Sequence, residues 1–183
     1  MGDISRALAS IGAVLAITPA LEAHAAPAHG LPALMSGVYK TRFQNGLIDG
    51  EKYASEDILE IVPYRDNAAY FRVHLEFYNG HECNISGIAE VAIDRLVYRG
   101  PTDPENGQCR LTLRPSSNGI HLYEAENGAC RNGTCGARGG YGFKANGSAD
   151  FTLSSRRRIR YLSRLLASSE YAQAVKEYAS RPR

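Results

Sequence analysis

The sequence predicts a mainly β protein, a small antiparallel β-barrel of about eight strands followed by a C-terminal amphipathic α-helical segment. Three observations lead to this fold class. Seven Asn-Gly dipeptides, typical of hairpin turns, punctuate the chain. Short runs with period-two hydrophobic alternation lie between them, and turn signals stop near residue 154, where residues that favour helices take over. Closure of the sheet into a barrel would remove its exposed edges.

Length and composition favour one folded domain. The 183 residues are 44% hydrophobic and 22% charged, which excludes a disordered chain and is enough to bury a core. We divide the chain into a signal peptide (1–25), a flexible N-terminus (26–34), a barrel domain (35–153) and a basic C-terminal helix packed on the barrel (154–183).

The first segment has the features of a secretory signal peptide. Arg6 precedes a mostly apolar run over residues 7–21, and Ala23-His24-Ala25 provides the small-x-small pattern of a cleavage site. The run is too short for an ordinary spanning helix, although a retained N-terminal anchor is the alternative. We therefore expect a periplasmic or secreted protein that does not span the membrane.

The strand predictions rest on side-chain alternation. In residues 69–77, Phe71, Val73 and Leu75 share one face, while Arg72 and His74 point to the other. The further strands predicted are residues 37–40, 58–62, 83–89, 96–99, 109–114, 120–124 and 141–144.

The C-terminal segment carries an apolar stripe at helical spacing. Its members are Ile159, Leu162, Leu165, Leu166, Ala172, Val175 and Ala179. Ser154 or Ser155 is the expected N-cap, and the pair Ser168-Ser169 is a candidate interruption that would give two shorter helices.

Charge is divided between the two regions. Residues 26–153 hold 12 Lys and Arg against 15 Asp and Glu, whereas residues 154–183 hold 8 against 2. A helix N-terminus disfavours cations, so a cluster of arginines there suggests an anionic surface as partner. A solvated face with salt bridges within the chain is the alternative. The candidate anionic-surface residues are Arg156, Arg157, Arg158 and Arg160.

The four cysteines predict two disulfides in an oxidising compartment. Cys83 and Cys109 fall on the inward phase of different strands, so we predict that they pair, which leaves Cys130–Cys135 to close a short loop. A zinc site formed with His81 is the alternative, but its cysteine spacing is looser than in common zinc motifs.

The segment from Cys130 to Gly142 is the candidate partner-binding loop. Its glycines keep bulk low, and two arginines supply charge; the candidate residues are Arg131, Gly136, Ala137, Arg138 and Gly139. A recognition loop with backbone amides that bind an anion is one interpretation. A turn at the barrel rim, with glycines needed only for backbone geometry, is the other.

Catalytic motifs are absent from the sequence. It has no G-x-S-x-G elbow, H-E-x-x-H motif, P-loop or dinucleotide-binding fingerprint, and we expect neither enzymatic activity nor a cofactor or metal. Nucleic acid is a poor candidate partner, because the basic residues do not alternate with aromatic ones.

Several segments resemble small exported bacterial domains grouped with periplasmic lysozyme-inhibitor proteins. They are residues 79–89, 96–98, 109–111 and 130–139, with residues 158–162 and 168–178 similar to a C-terminal extension. Inhibitors of C-type lysozyme carry a loop that reads S-G-S-G-A-R-Y, of which this chain has Gly136-Ala137-Arg138. The resemblance implies a disulfide-bonded barrel whose glycine-rich loop binds a lysozyme-type hydrolase.

Three functional hypotheses follow. The first is a non-enzymatic binding protein that uses Arg138 to block a carboxylate-lined cleft. The second is a barrel that carries a small ligand in its interior. The third is an envelope adaptor that docks on a membrane or murein polymer through its arginine-rich helix. A packed rather than hollow barrel would leave only the surface as a functional candidate.

Overall fold

The computed structural model describes residues 30–142 and 150–181, and it confirms the predicted fold class. Eight antiparallel strands form one sheet that curls into a nearly closed barrel. The strands are β1 Gly37–Gly46, β2 Lys52–Arg65, β3 Ala68–Glu76, β4 Glu82–Ala92, β5 Arg95–Asp103, β6 Gly107–Pro115, β7 Gly119–Glu124 and β8 Phe151–Thr152. The helices are α1 Leu31–Met35, α2 Leu162–Leu166 and α3 Ser169–Ala179.

The strand order follows the chain from β1 to β8, so each strand pairs with the next one. The chain after β8 closes the remaining seam, where Arg157 forms an antiparallel bridge with Val38 of β1. The barrel is therefore an up-and-down meander whose last wall is a short extended segment.

Seven of the eight predicted strands are confirmed. The prediction of a strand over residues 141–144 is wrong where it can be compared, because Tyr141 and Gly142 form a bend, while residues 143 and 144 lie outside the described residues. The eighth strand is Phe151–Thr152 instead.

The Asn-Gly dipeptides mark real hairpin turns at only some of their positions. Asn79 and Gly80 have φ angles of 61° and 70° between β3 and β4, the positive values that this dipeptide tolerates. The dipeptide at Asn45 lies inside β1, the two at Asn127 and Asn132 lie in the long β7–β8 connection, and Asn146 lies outside the described residues.

The barrel interior is filled with apolar side chains. The residues of β3 that were predicted to face inward are buried there. Helix α1 adds Met35 to the same cluster, and this side chain is 2% exposed. The largest side chains with under 2% exposure that belong to this cluster are Tyr39, Leu59, Ile61, Phe71, Leu96, Leu111, Leu113, Ile120, Leu122 and Phe151. The segment predicted as a flexible N-terminus thus contributes a short helix at residues 31–35.

A second apolar cluster lies outside the barrel wall, beneath the C-terminal helices. Leu165 of α2 and Ala174 of α3 are buried against Tyr70 and Ile88, which stand on the outer face of β3 and β4. The predicted packing of a helical segment on the barrel is therefore present. The predicted stripe is wrong at Leu162 and Leu166, each of which is 40% exposed, and at Ala172 and Ala179, which are exposed as well.

The C-terminal helical region begins later than predicted. Residues Leu153–Ser155 form one turn of 3-10 helix, and α-helix starts only at Leu162, so Ser154 and Ser155 are not the N-cap of a long helix. The backbone of Arg157 is used for pairing with β1, which holds the arginine-rich stretch extended. The predicted interruption is confirmed, since Ser168 caps α3 by accepting from the N–H of Tyr171.

The proposed signal peptide, residues 1–25, lies outside the described residues. None of the described helices has the length and apolar character needed to cross a membrane.

Candidate functional site

The candidate partner-binding loop belongs to the β7–β8 connection, whose described part we call the cross-linked loop (residues 125–142). It folds over one end of the barrel and buries Ala129, Cys130 and Tyr141 in the main core. Strand β4 pairs with β5 only over Ala89–Ala92, which leaves the first half of β4 without that neighbour. The loop lies along this free edge.

Backbone pairing joins the cross-linked loop to β4. The N–H of Asn84 donates to the carbonyl of Thr134 at 2.8 Å, and the N–H of Gly136 donates to the carbonyl of Glu82 at 2.8 Å. Residues 134–136 therefore act as a short extra strand, and the loop backbone is held by the same type of bond as the barrel wall.

The predicted disulfide pairing is wrong. The bonds join Cys83 to Cys135 and Cys109 to Cys130, so each inward-facing strand cysteine is bonded to a loop cysteine. The loop occupies the space between β4 and β6, and this prevents the two strand cysteines from meeting across the barrel. All four cysteines are used, which also removes the zinc alternative.

Side-chain hydrogen bonds fix the middle of the cross-linked loop. The Glu124 carboxylate accepts from the N–H groups of Cys130 at 2.5 Å and Arg131 at 3.0 Å. Thr134 Oγ1 lies 2.9 Å from the hydroxyl of Tyr141, and burial raises the pKa of Tyr141. The loop therefore has little freedom near its cysteines.

Two of the predicted site glycines have structural explanations. A Cβ atom at Gly139 would lie 2.6 Å from Sγ of Cys83, and a Cβ at Gly136 would lie 2.8 Å from Nδ1 of His81. These glycines allow the loop backbone to lie against the disulfide and the β3–β4 turn. They position the neighbouring exposed residues, Ala137 and Arg138.

Arg138 is exposed on the outer side of the cross-linked loop. Its guanidinium carbon lies 5.9 Å from the ring centroid of Tyr78, within the range of a cation–π contact. Tyr78 is itself 43% exposed, and its hydroxyl donates to the carbonyl of Leu47 at 2.9 Å. Arg138 therefore stands at the barrel end that holds the β1–β2 and β3–β4 turns, beside an exposed aromatic ring.

Arg131, the other predicted loop arginine, is exposed but lies against its own loop. A Cβ atom at Gly128 would come within 2.9 Å of Nη2 of Arg131, so this guanidinium covers the Gly128 backbone. The structure places the two arginines differently, because of the two only Arg138 lies beside the exposed ring of Tyr78.

The four predicted anionic-surface arginines lie at the opposite end of the barrel. Nε of Arg156 donates to the carbonyl of Ser36, directly before β1, whereas Tyr78 contacts Leu47, directly after β1. Because β1 has 10 residues and a strand rises about 3.3 Å per residue, the two ends are about 30 Å apart. The two predicted surfaces are thus separate sites.

A third polar cluster was not predicted from the sequence. Glu60 on the outer face of β2 is 1% exposed and pairs with Arg72, which also contacts Glu170 of α3 at 2.8 Å. The hydroxyl of Tyr161 donates to Glu60, and burial together with this carboxylate raises the pKa of Tyr161 to about 12. These side chains line a cavity of about 410 Å³.

Glu60 lies on the outward phase of its strand, so its sequence pattern indicates a solvent-exposed carboxylate. It is buried because Tyr161 and the C-terminal helices cover it. The alternation of apolar and polar side chains along β2 does not indicate that other elements pack on the outer face of this strand. The cluster holds the C-terminal segment on the barrel.

Within residues 30–142 and 150–181, no group of three or more His, Cys, Asp and Glu side chains is placed to hold a metal ion.

No protein-family model, curated protein or solved structure matches this chain.

Proposed function

We propose that this chain is an exported, non-enzymatic binding protein that inserts Arg138 into a carboxylate-lined cleft of a protein partner, most concretely a lysozyme-type cell-wall hydrolase. The observation that carries the proposal is the placement of Arg138. Its guanidinium is exposed, is in no ion pair with the described residues, and stands on a loop joined to the barrel by two disulfides.

The chemistry of the partner follows from the guanidinium. Glycoside hydrolases hold two carboxyl groups roughly 5–9.5 Å apart in their cleft, and an arginine fork binds a carboxylate through two parallel hydrogen bonds. Pairing along β4 fixes the loop before binding, which lowers the entropy lost when the complex forms. The barrel region, with 12 basic and 15 acidic residues, favours a basic partner.

The packed interior of the barrel supports binding of a partner at the protein surface rather than binding of a small ligand inside the barrel. Side chains such as Tyr39, Phe71 and Leu113 fill the barrel and are fully buried. The two disulfides and the signal-like residues 1–25 support an oxidising compartment, the periplasm or the cell exterior.

The test is a lysozyme inhibition assay. Oxidised protein is titrated into a C-type lysozyme that is degrading bacterial cell walls, and the inhibition constant is measured for wild type, Arg138→Ala and Arg138→Lys. We expect Arg138→Ala to weaken inhibition by about 30-fold or more, the scale for truncating one partner of a buried charge pair. Arg138→Lys should recover only part of the affinity, because it lacks the bidentate fork.

Arg110→Ala is the matched control, since Arg110 is exposed on β6 and is in no ion pair with the described residues. It should inhibit like wild type, and all three variants should keep the wild-type melting temperature. Absence of inhibition by the wild-type protein would make the lysozyme partner wrong. Equal inhibition by wild type and Arg138→Ala would remove Arg138 from the interface.

A further inference from the structure

The extended segment after β8 forms a basic groove at the barrel end opposite Arg138. The groove is open, has a volume of about 1010 Å³, and is lined by the five consecutive residues 156–160, four of which are arginines. Its other lining residues are Ser36, Gly37, Ile61, Val62, Pro63, Leu162 and Ser163. We propose that this basic groove docks the protein on the surface of an anionic phospholipid membrane.

The charges of the basic groove are not neutralised by the barrel. Eight ion pairs join side chains of the described residues, and none of them includes an arginine of the groove. Salt bridges among the described residues therefore do not account for this cluster. Four guanidinium groups close together and without carboxylates form a concentrated positive field that favours anions.

The backbone contacts of the basic groove keep the arginines in place. Arg156 donates from Nε to the carbonyl of Ser36 at 2.8 Å, and Arg157 donates from Nη1 to the carbonyl of Ser154 at 2.8 Å. Arg158 and Arg160 are exposed, and their side chains make no hydrogen bond within the described residues. Two arginines thus shape the groove, and the other two are available to phosphate oxygens.

Apolar side chains beside the arginines favour a lipid surface over a soluble phosphate. Leu162 lines the groove, and Leu166 follows one helical turn later on α2, so that both side chains stand on the same side of this helix. Each is 40% exposed, so the two leucines present apolar surface beside the arginines. In an interfacial membrane contact, cationic side chains bind the lipid headgroups, and neighbouring apolar side chains enter the boundary with the acyl chains.

The experiment is vesicle co-sedimentation of the oxidised protein. We expect binding to vesicles of phosphatidylcholine mixed with phosphatidylglycerol, and much weaker binding to phosphatidylcholine alone. Each arginine near an anionic surface changes the partition constant about fivefold, so Arg158→Ser with Arg160→Ser should weaken it about 25-fold. Leu162→Ser with Leu166→Ser should also weaken it, whereas Arg158→Lys with Arg160→Lys should retain most of it.

The matched control is Lys52→Ser with Arg110→Ser, which removes the same charge from exposed positions outside the groove. It should bind mixed vesicles nearly as well as wild type. An equal loss in this control would show that net charge alone drives binding, and the proposal would be wrong. Displacement by soluble glycerol phosphate would assign the groove to a soluble phosphate instead. Absence of wild-type binding to the mixed vesicles would also overturn it.

Each variant is checked for folding by its melting temperature and by the two disulfides. The membrane proposal does not depend on Arg138, so Arg138→Ala should sediment with mixed vesicles like wild type.

Discussion

The N–H of Val38 donates to the carbonyl of Arg157 at 2.9 Å, and the N–H of Arg157 donates back to the carbonyl of Val38 at 2.7 Å. This reciprocal pair closes the seam between the first strand and the chain after the last one. Gly37 makes the approach possible, because a Cβ atom there would lie 3.0 Å from the carbonyl oxygen of Arg157. The backbone that completes the barrel therefore also carries the arginines of the basic groove.

From this reciprocal pair we predict that Arg157 contributes to the free energy of unfolding through its backbone rather than through its side chain. Arg157→Pro removes the N–H that donates to Val38 and should lower the free energy of unfolding by about 1–3 kcal/mol. Arg157→Ser keeps the N–H and should change stability by less than about 0.5 kcal/mol. Urea denaturation of both variants measures the difference, and similar losses would show that the seam contributes little.

The disulfides predict a specific peptide map and an order of stability. Proteolysis without reduction should release peptides joined through Cys83–Cys135 and Cys109–Cys130. The first bond spans 52 residues and the second 21, so the chain-entropy account gives about 4 and about 3 kcal/mol. Replacing the first pair by serine should therefore destabilise the protein more than replacing the second. A peptide that joins Cys83 to Cys109 would contradict the structure.

The alternation of apolar and polar residues predicted the strands, because one face of each strand packs against the barrel interior. Phe71 and Arg72 differ in burial as a period of two requires, and this local signal does not depend on the rest of the chain. The disulfide partners depend on where a long connection folds. The inward phase of Cys83 and Cys109 was correct, but no local pattern indicates that residues 125–142 lie between β4 and β6.

The C-terminal segment shows the same difference between local and tertiary information. Helix propensity favoured a start near Ser154, but the barrel seam takes the backbone of Arg157 into an extended pairing. The sequence predicted the arginine cluster at the start of a helix, whereas the pairing with β1 places it in an extended segment that lines a groove. The burial of Glu60 likewise depends on a distant residue, Tyr161.

The buried pair Glu60 and Arg72 predicts a non-additive double-mutant cycle. Arg72→Met leaves the Glu60 carboxylate buried without its cation and should cost about 2 kcal/mol. This is less than for a fully buried pair, because the Arg72 side chain is 35% exposed. Adding Glu60→Gln to Arg72→Met should restore part of the loss, since a neutral amide tolerates burial better. Chemical denaturation gives the four free energies, and additive losses would mean that the two side chains are not coupled.

We predict that the His74 imidazole contributes to the stability of the fold and that this contribution is lost as pH rises. Its Nδ1 lies 2.7 Å from Oδ1 of Asn84, and its Nε2 lies 3.4 Å from the Glu76 carboxylate. Burial alone would lower the pKa of His74, but Asn84, Glu76 and the charge of Glu82 outweigh it and raise the pKa. The fold therefore favours the protonated ring, and its contribution is fully present below the ordinary pKa of about 6.5.

That contribution should be lost as pH rises through the folded-state pKa, which lies above the ordinary value. The stability difference between wild type and His74→Gln should then shrink between about pH 6 and pH 8, and it should stay below about 1 kcal/mol for this partly exposed group. NMR titration of the imidazole gives the pKa directly. Glu76→Gln should lower it, while Glu105→Gln, an exposed carboxylate in the β5–β6 turn, should leave it unchanged. A stability difference that grows with pH would mean that the fold favours the neutral ring.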